Sequence, residues 1–242
     1  MSGNDFSPEL IRSLSRMIYG HETWLENPRR EDGRIVVDGM YEHRLENDKV
    51  MPLCYANIAI FNESGPSGAK YDLSEEDKCR RLRFDDDGSD IITVYYDSNN
   101  IPWIQNDEGW AMGVKRDFSN VKYAAAYNLI AKRIISKDGS PGTVVNSTLE
   151  IIPTTVSPAV GETVGVQILY EGRPLAGSKI LVYRKGAEDF LKFVTDADGR
   201  FEFKADEAGM WAIIAKHADP SKAVEDEYDE AVYEATLTME TA

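Results

Sequence analysis

Three histidines, His21, His43 and His217, make up all the histidine chemistry open to this chain. Imidazole nitrogen suits Ni²⁺, Co²⁺, Cu²⁺ and Zn²⁺, and carboxylates can complete such a site. Candidate acids lie close by in sequence. Glu22 follows His21, Glu42 precedes His43, Asp219 follows His217, and a further acidic run extends from Glu225 to Glu230. The histidines themselves are far apart, so no local ligand motif such as H-E-x-x-H exists and the fold would have to assemble any site. The structural alternative is that His21 and His217 are hydrogen-bonded residues at a sheet edge and that His43 is exposed. The 225–230 run reads first as a solvated loop.

Other reactive chemistry is thin. There is no G-x-S-x-G, no G-x-G-x-x-G and no P-loop, so the chain reads as non-enzymatic. Many acids leave a glycosidase-like carboxylate pair open, but nothing selects one. Of two cysteines, Cys54 reads as buried and inert, whereas Cys79 beside Arg80 and Arg81 is expected to have a lowered pKa. One disulfide or two free thiols are equally open. Trp211 falls within an apolar run and reads as core, while Trp103 and Trp110 lie in irregular segments, open to loop packing or ligand contact.

The chain around these residues has 242 positions, room for one large domain or two small ones. Its 42 acidic against 27 basic residues give a net charge of −15. That field repels phosphate backbones and anionic membranes and favours cations or basic partners. No run of about 18 apolar residues exists, so no membrane insertion is expected. The first twenty residues lack the basic and apolar regions of a secretory signal, which taken alone points to the cytoplasm.

The elements that must position the histidines are mostly strands. Ser7-Pro8-Glu9 reads as a helix start, and Leu10, Ile11, Leu14, Met17 and Ile18 recur at helical spacing. After Gly20, 34–37, 56–61 and 90–96 are β-branched or aromatic runs bounded by turn residues. Residues 101–110 read as aromatic loops, and 121–135 as a helix, with a strand left open. Lys137–Gly142 is the best linker. Beyond it, 149–152, 163–170, 179–183, 190–194, 200–204, 211–215 and 234–239 are seven candidate strands separated by Gly, Pro and Asp turns.

Two turns in this part, Glu171-Gly-Arg-Pro-Leu-Ala-Gly-Ser178 and Thr195-Asp-Ala-Asp-Gly-Arg-Phe201, resemble those of the prealbumin-like or carboxypeptidase-regulatory-like sandwich. The likeness continues through the chain. Gly20-His-Glu-Thr-Trp-Leu25, Glu108-Gly-Trp-Ala-Met-Gly113, Tyr123-Ala-Ala-Ala126, Leu149-Glu-Ile-Ile-Pro153 and Ala235-Thr-Leu-Thr238 follow the order of segments in domain-of-unknown-function family 4198. The resemblance covers roughly residues 20–240 and rests on the order of the motifs. It implies an accessory component of nickel or cobalt uptake and an extracytoplasmic setting. It also implies a metal site drawn from His21, His43, His217, Glu22 and Asp219. Intradiol dioxygenases share a related sandwich, but their tyrosine and histidine ligand spacing is not visible here.

The expectation is therefore a mainly β chain of two tandem antiparallel sandwiches behind a short amphipathic helix. Residues 1–20 form that helix, 21–136 an N-terminal β-rich domain with an aromatic and helical insertion, 137–148 a linker, and 149–242 the prealbumin-like sandwich. The expected role is non-catalytic binding in metal uptake, with transporter components as partners. The alternative is a structural or interaction subunit of a larger protein assembly.

Overall fold

A computed structural model describes residues 21–241 except 52, 54, 55 and 143, with backbone alone for His43, Asn47 and Asp48. The expected helix at residues 7–19 lies outside the described residues. The chain is mainly β. Its first strands are β1 (Glu22–Glu31), β2 (Arg34–His43), β3 (Glu46–Lys49), β4 (Asn57–Asn62), β5 (Gly65–Pro66), β6 (Tyr71–Glu76) and β7 (Cys79–Asp85). Next come β8 (Ile91–Asp97), β9 (Ile101–Asn106), β10 (Gly109–Met112), β11 (Tyr123–Ser136), β12 (Leu149–Pro153) and β13 (Glu162–Tyr170). The last are β14 (Arg173–Pro174), β15 (Lys179–Arg184), β16 (Leu191–Val194), β17 (Arg200–Ala205), β18 (Gly209–Asp219) and β19 (Glu230–Thr241).

These strands form three sheets. The N-terminal sheet runs β1-β2-β7-β6 with β3 on β2, and the C-terminal sheet runs β12-β13-β14 with β17 on β13. Between them lies a ten-stranded sheet in the order β16-β15-β18-β19-β11-β8-β4-β5, to which the β9–β10 hairpin is added through β11. Its centre is a parallel pairing of β11 with β19, in register from Ala125 opposite Glu230 to Arg133 opposite Thr238. The two sandwiches expected in tandem therefore share their middle layer. The physical reason is edge satisfaction: β11 and β19 would each leave an open row of backbone donors and acceptors, and pairing them removes both edges.

Packing follows from strand alternation, which sends successive side chains to opposite faces. From β18, Trp211, Ile213 and Ala215 enter a core shared with Ile151, Val164, Ile168, Phe201 and Phe203 of the C-terminal sheet. Met210, Ala212 and Ile214 point the other way, onto Trp24 and Met40 of the N-terminal sheet. A second cluster on that side joins Ile35, Val37 and Phe84 to Val94, Tyr96 and Ala131. A strand covered on both faces must be apolar throughout, which is why 211–215 reads as a continuous run. Each large side chain buried this way contributes roughly 1.5–3 kcal/mol.

Two expectations change. The segment expected as a helix is the long strand β11, because its Tyr, Leu and Ile side chains fit a pleated surface and strands pair with it along both edges. The aromatic loops are a hairpin, β9–β10, closed by the Asp107-Glu108 turn. All seven C-terminal strands are present. The Thr195–Gly199 motif is a structural staple. Asp196 Oδ1 accepts from the backbone N–H of Asp198 and Arg200, and Thr195 Oγ1 donates to Leu175 O at 2.6 Å. A Cβ at Gly199, whose φ is +70°, would meet Ile168 O at 2.6 Å.

Candidate functional site

The antiparallel register places Glu22 of β1 opposite Glu42 of β2. His21 precedes the first and His43 follows the second, so their backbones lie at the same end of this strand pair. The His21 imidazole stacks on Tyr41, with centroids 5.0 Å apart. Its Nε2 is 3.3 Å from Glu42 Oε1, and Lys49 Nζ lies 3.2 Å from the same nitrogen and 3.0 Å from Glu42 Oε2. His21, Glu42 and Lys49 thus form a partly exposed corner in which an ammonium already occupies the position a metal cation would take.

Glu22 does not join that corner. It turns inward and is 1% exposed, accepting from Tyr183 OH at 2.5 Å and from the Arg44 N–H at 3.1 Å. Burial first, and the neighbouring Glu234 carboxylate second, push its pKa up to about 8. Burial, with Glu42 and Glu234 nearby, likewise pushes the Tyr41 phenol up to about 12.

His217 lies on the other face of the central sheet. On β18 its neighbour Lys216 faces the N-terminal sheet and pairs with Glu234 at 3.3 Å. Alternation then sends His217 toward the C-terminal sheet, where it packs on Tyr170 with centroids 4.3 Å apart. Burial lowers its pKa, and Asp219 offsets this in part. Asp219 accepts from Tyr170 OH at 2.5 Å and from Ser221 N at 2.9 Å, capping the short turn at Pro220–Lys222. Of the residues expected to share a metal, His21 lies at a surface corner, Glu22 in a buried seam, and His217 and Asp219 on the opposite face. Among the described residues, no group of three or more His, Cys, Asp or Glu side chains is arranged to hold a metal ion.

The acidic run serves as a clasp. Asp229 and Glu227 take Lys115 and Arg116, each at 2.8 Å, and Glu230 accepts from Tyr123 OH at 2.6 Å. Cys79 departs from expectation: it is buried, and burial raises its pKa. The flanking arginines are drawn away, Arg80 to Glu75 at 2.6 Å and Arg81 to Asp38 at 2.7 Å. Cys54 lies outside the described residues.

The β9–β10 hairpin is the second candidate surface. Trp110 is 52% and Met112 61% exposed, on one face of β10. Their cross-strand partners are Gln105 and Trp103, and Trp110 meets the Tyr123 ring edge-on at 6.0 Å. Alternation in Trp103-x-Gln105 and Trp110-x-Met112, around a turn of Asp, Glu and Gly, is the sequence signal for this face. It is short enough to pass for loop.

A sequence profile for the domain of unknown function DUF4198 matches residues 18–219. The chain belongs to that family. The DUF4198 match covers both candidate surfaces and stops before β19, the strand that completes the central sheet. No curated relative matches the chain. Among solved structures it is similar to the D0–D1 domain of intimin, 11% identical over 90% of this chain and 97% of that one, with a TM-score of 0.23. The Escherichia coli adhesin FdeC is 11% identical over 92% of this chain and 64% of that one, with a TM-score of 0.25. The mouse nectin-like molecule 4 ectodomain is 12% identical over 91% and 64%, with a TM-score of 0.22. At these scores neither topology nor role carries over to the DUF4198 chain. Among the described residues no helix is long and apolar enough to cross a membrane.

Proposed function

We propose that this DUF4198 protein is a non-catalytic binding protein that acts by contact with another protein. One observation supports this most directly: Trp110 and Met112 stand exposed, two residues apart, on one face of the β9–β10 hairpin. Exposed Trp and Met grouped on one face are enriched where proteins bind one another. The test is crosslinking at position 110, with a photoreactive residue in place of Trp110, in cells that produce the protein. A crosslink to one defined protein, lost when the reactive residue is moved to exposed Glu171, supports the reading. Crosslinks that are absent or equal at both positions count against it.

A nickel- or cobalt-handling role in uptake, with an extracytoplasmic setting, is the second reading and follows from the family likeness. The five-residue ligand set does not fit, since His217 and Glu22 point elsewhere. The residues that support a reduced site are His21 and Glu42, with His43 at the same end of the strand pair. A metal ion there, as cargo, would have to displace Lys49. Titration calorimetry with Ni²⁺ and Co²⁺ should then show binding that His21→Ala abolishes, Lys49→Ala strengthens and His217→Ala leaves unchanged. Equal affinity in all three variants removes this reading.

A further inference from the structure

We infer that the open edge of β10 receives an extended, alternately apolar and basic segment of a partner protein, added as a further strand beside Trp110 and Met112. The inference rests on the protein-contact reading and specifies how that contact is made.

The backbone carries the first part of the argument. In an antiparallel ladder, pairs that exchange hydrogen bonds alternate with pairs that do not. The Gly113 N–H donates to Pro102 O at 2.9 Å, which sets the phase of the β9–β10 ladder. Ala111 opposite Ile104 and Gly109 opposite Asn106 are then bonded pairs. Trp110 and Met112 fall on the non-bonded pairs, so their N–H and C=O groups point away from β9. Among the described residues β10 pairs with no other strand. Among the described residues, the two most exposed large apolar side chains therefore sit on the residues whose backbone groups form the open edge. Sheet edges exposed to water are usually guarded by Lys, Pro or a bulge. Gly-Trp-Ala-Met has no charge and no proline, and its register with β9 is unbroken.

Charge selects the occupant. Residues 107–122 and 225–230 frame the hairpin with eight carboxylates and three cations. All three cations are taken: Lys115 by Asp229, Arg116 by Glu227, and Lys122 by Asp107 at 2.6 Å. The 225–230 loop is tied to this side by the Arg116 N–H donating to Asp226 O and the Lys115 N–H to Glu227 O, both at 2.9 Å. A second copy of the chain would bring the same carboxylates to the same edge, and like charges facing each other across strands are destabilising. A basic strand meets complementary charge, while its apolar alternate residues cover Trp110 and Met112.

The full chain would be titrated with a synthetic octapeptide of alternating Lys and Val, with the Glu-Val octapeptide as control. Hydrogen exchange is followed at individual amides by NMR. Strand addition predicts slowing of the Trp110 and Met112 amides by roughly tenfold or more at saturation with Lys-Val, and none with Glu-Val. Met112→Pro removes one outward N–H and none of the ladder to β9, so it should weaken binding while the fold is kept. Quenching of Trp110 fluorescence without amide protection overturns strand addition and leaves the protein-contact reading standing. Protection that appears without peptide as concentration rises, together with dimer formation, assigns the edge to a second copy and overturns the proposal. No binding of Lys-Val at millimolar concentration, or unchanged binding by Met112→Pro, also overturns it.

Discussion

Against the C-terminal sheet, the central sheet offers Trp211, Ile213 and Ala215 to an apolar layer whose buried ion pair is Lys132 with Glu150 at 2.9 Å. Beneath β1, on its other face, it brings Glu234 near Glu22, Arg133 near Glu26 and Thr238 onto the Leu25 carbonyl. β1 is held there by the buried Trp24 and Leu25 side chains and by polar contacts. Thr238 Oγ1 donates to Leu25 O, Tyr183 OH to Glu22, and Lys185 Nζ to Glu26 Oε2 at 2.8 Å. Arg133 Nε and Nη1 and the Thr23 and Thr236 hydroxyls are buried with no hydrogen-bond partner among the described residues. The same sheet thus has one face that gains mainly from apolar burial and another whose apolar clusters are joined, beneath β1, by a polar seam sensitive to protonation and hydrogen-bond satisfaction. The apolar side should be sensitive to volume and to a lone charge, the β1 side to pH.

The largest effect is expected from Lys132→Met. It would strand Glu150, almost fully enclosed, with the Val145 N–H as its remaining partner at 2.9 Å. Breaking a buried pair in this way costs about 3–5 kcal/mol, and Lys132→Met with Glu150→Met should regain most of it. Urea denaturation of the two variants checks this. An equal loss in both would show that the pair's geometry, and not the lone charge, matters.

The next effect tests the β1 seam. Glu22 has a folded pKa of about 8 against 4.5 for the free side chain. The folded state therefore holds a proton that the unfolded state gives up, and its contribution is fully present below about pH 4.5. It falls as pH rises and is lost by about pH 8, a decline on the order of 4 kcal/mol. Stability measured from pH 5 to 8.5 should fall more steeply in the wild type than in Glu22→Gln. Parallel curves would mean that Glu22 is ionised inside the fold.

The smallest effect belongs to the hairpin. Trp110→Ala with Met112→Ala removes exposed side chains, so stability should change by less than about 0.5 kcal/mol per site. A larger loss in thermal or urea unfolding would make the aromatic face part of the core and not a free surface.

Much of this molecule was legible locally. The seven C-terminal strands announce themselves by β-branched and aromatic runs between Gly and Asp turns, and Phe201 and Phe203 share a face because strand geometry has period two. His217 packs on Tyr170 from β18, a strand that lies between β15 and β19 and not at a sheet edge. β1 was missed because Glu-Asn-Pro-Arg-Arg-Glu looks like loop, and the strand is secured by Trp24 and by partners more than 150 residues away. The hairpin was missed because four residues are too few for a periodic signal.

By itself the sequence determined the seven C-terminal strands, the turn chemistry between them and the alternation that puts Lys216 and His217 on opposite faces of one strand. These are consequences of backbone geometry within a few residues. Which sheet covers each face was decided only in three dimensions. The parallel pairing of β11 with β19 joins segments about a hundred residues apart, and it alone sets the N-terminal sheet on one side and the C-terminal sheet on the other. With it, His217 and His21 come to lie on opposite sides of the central sheet, and Glu22 lies near Glu234 of β19. No local pattern encodes it, because the free energy of closing two distant strand edges depends on both at once.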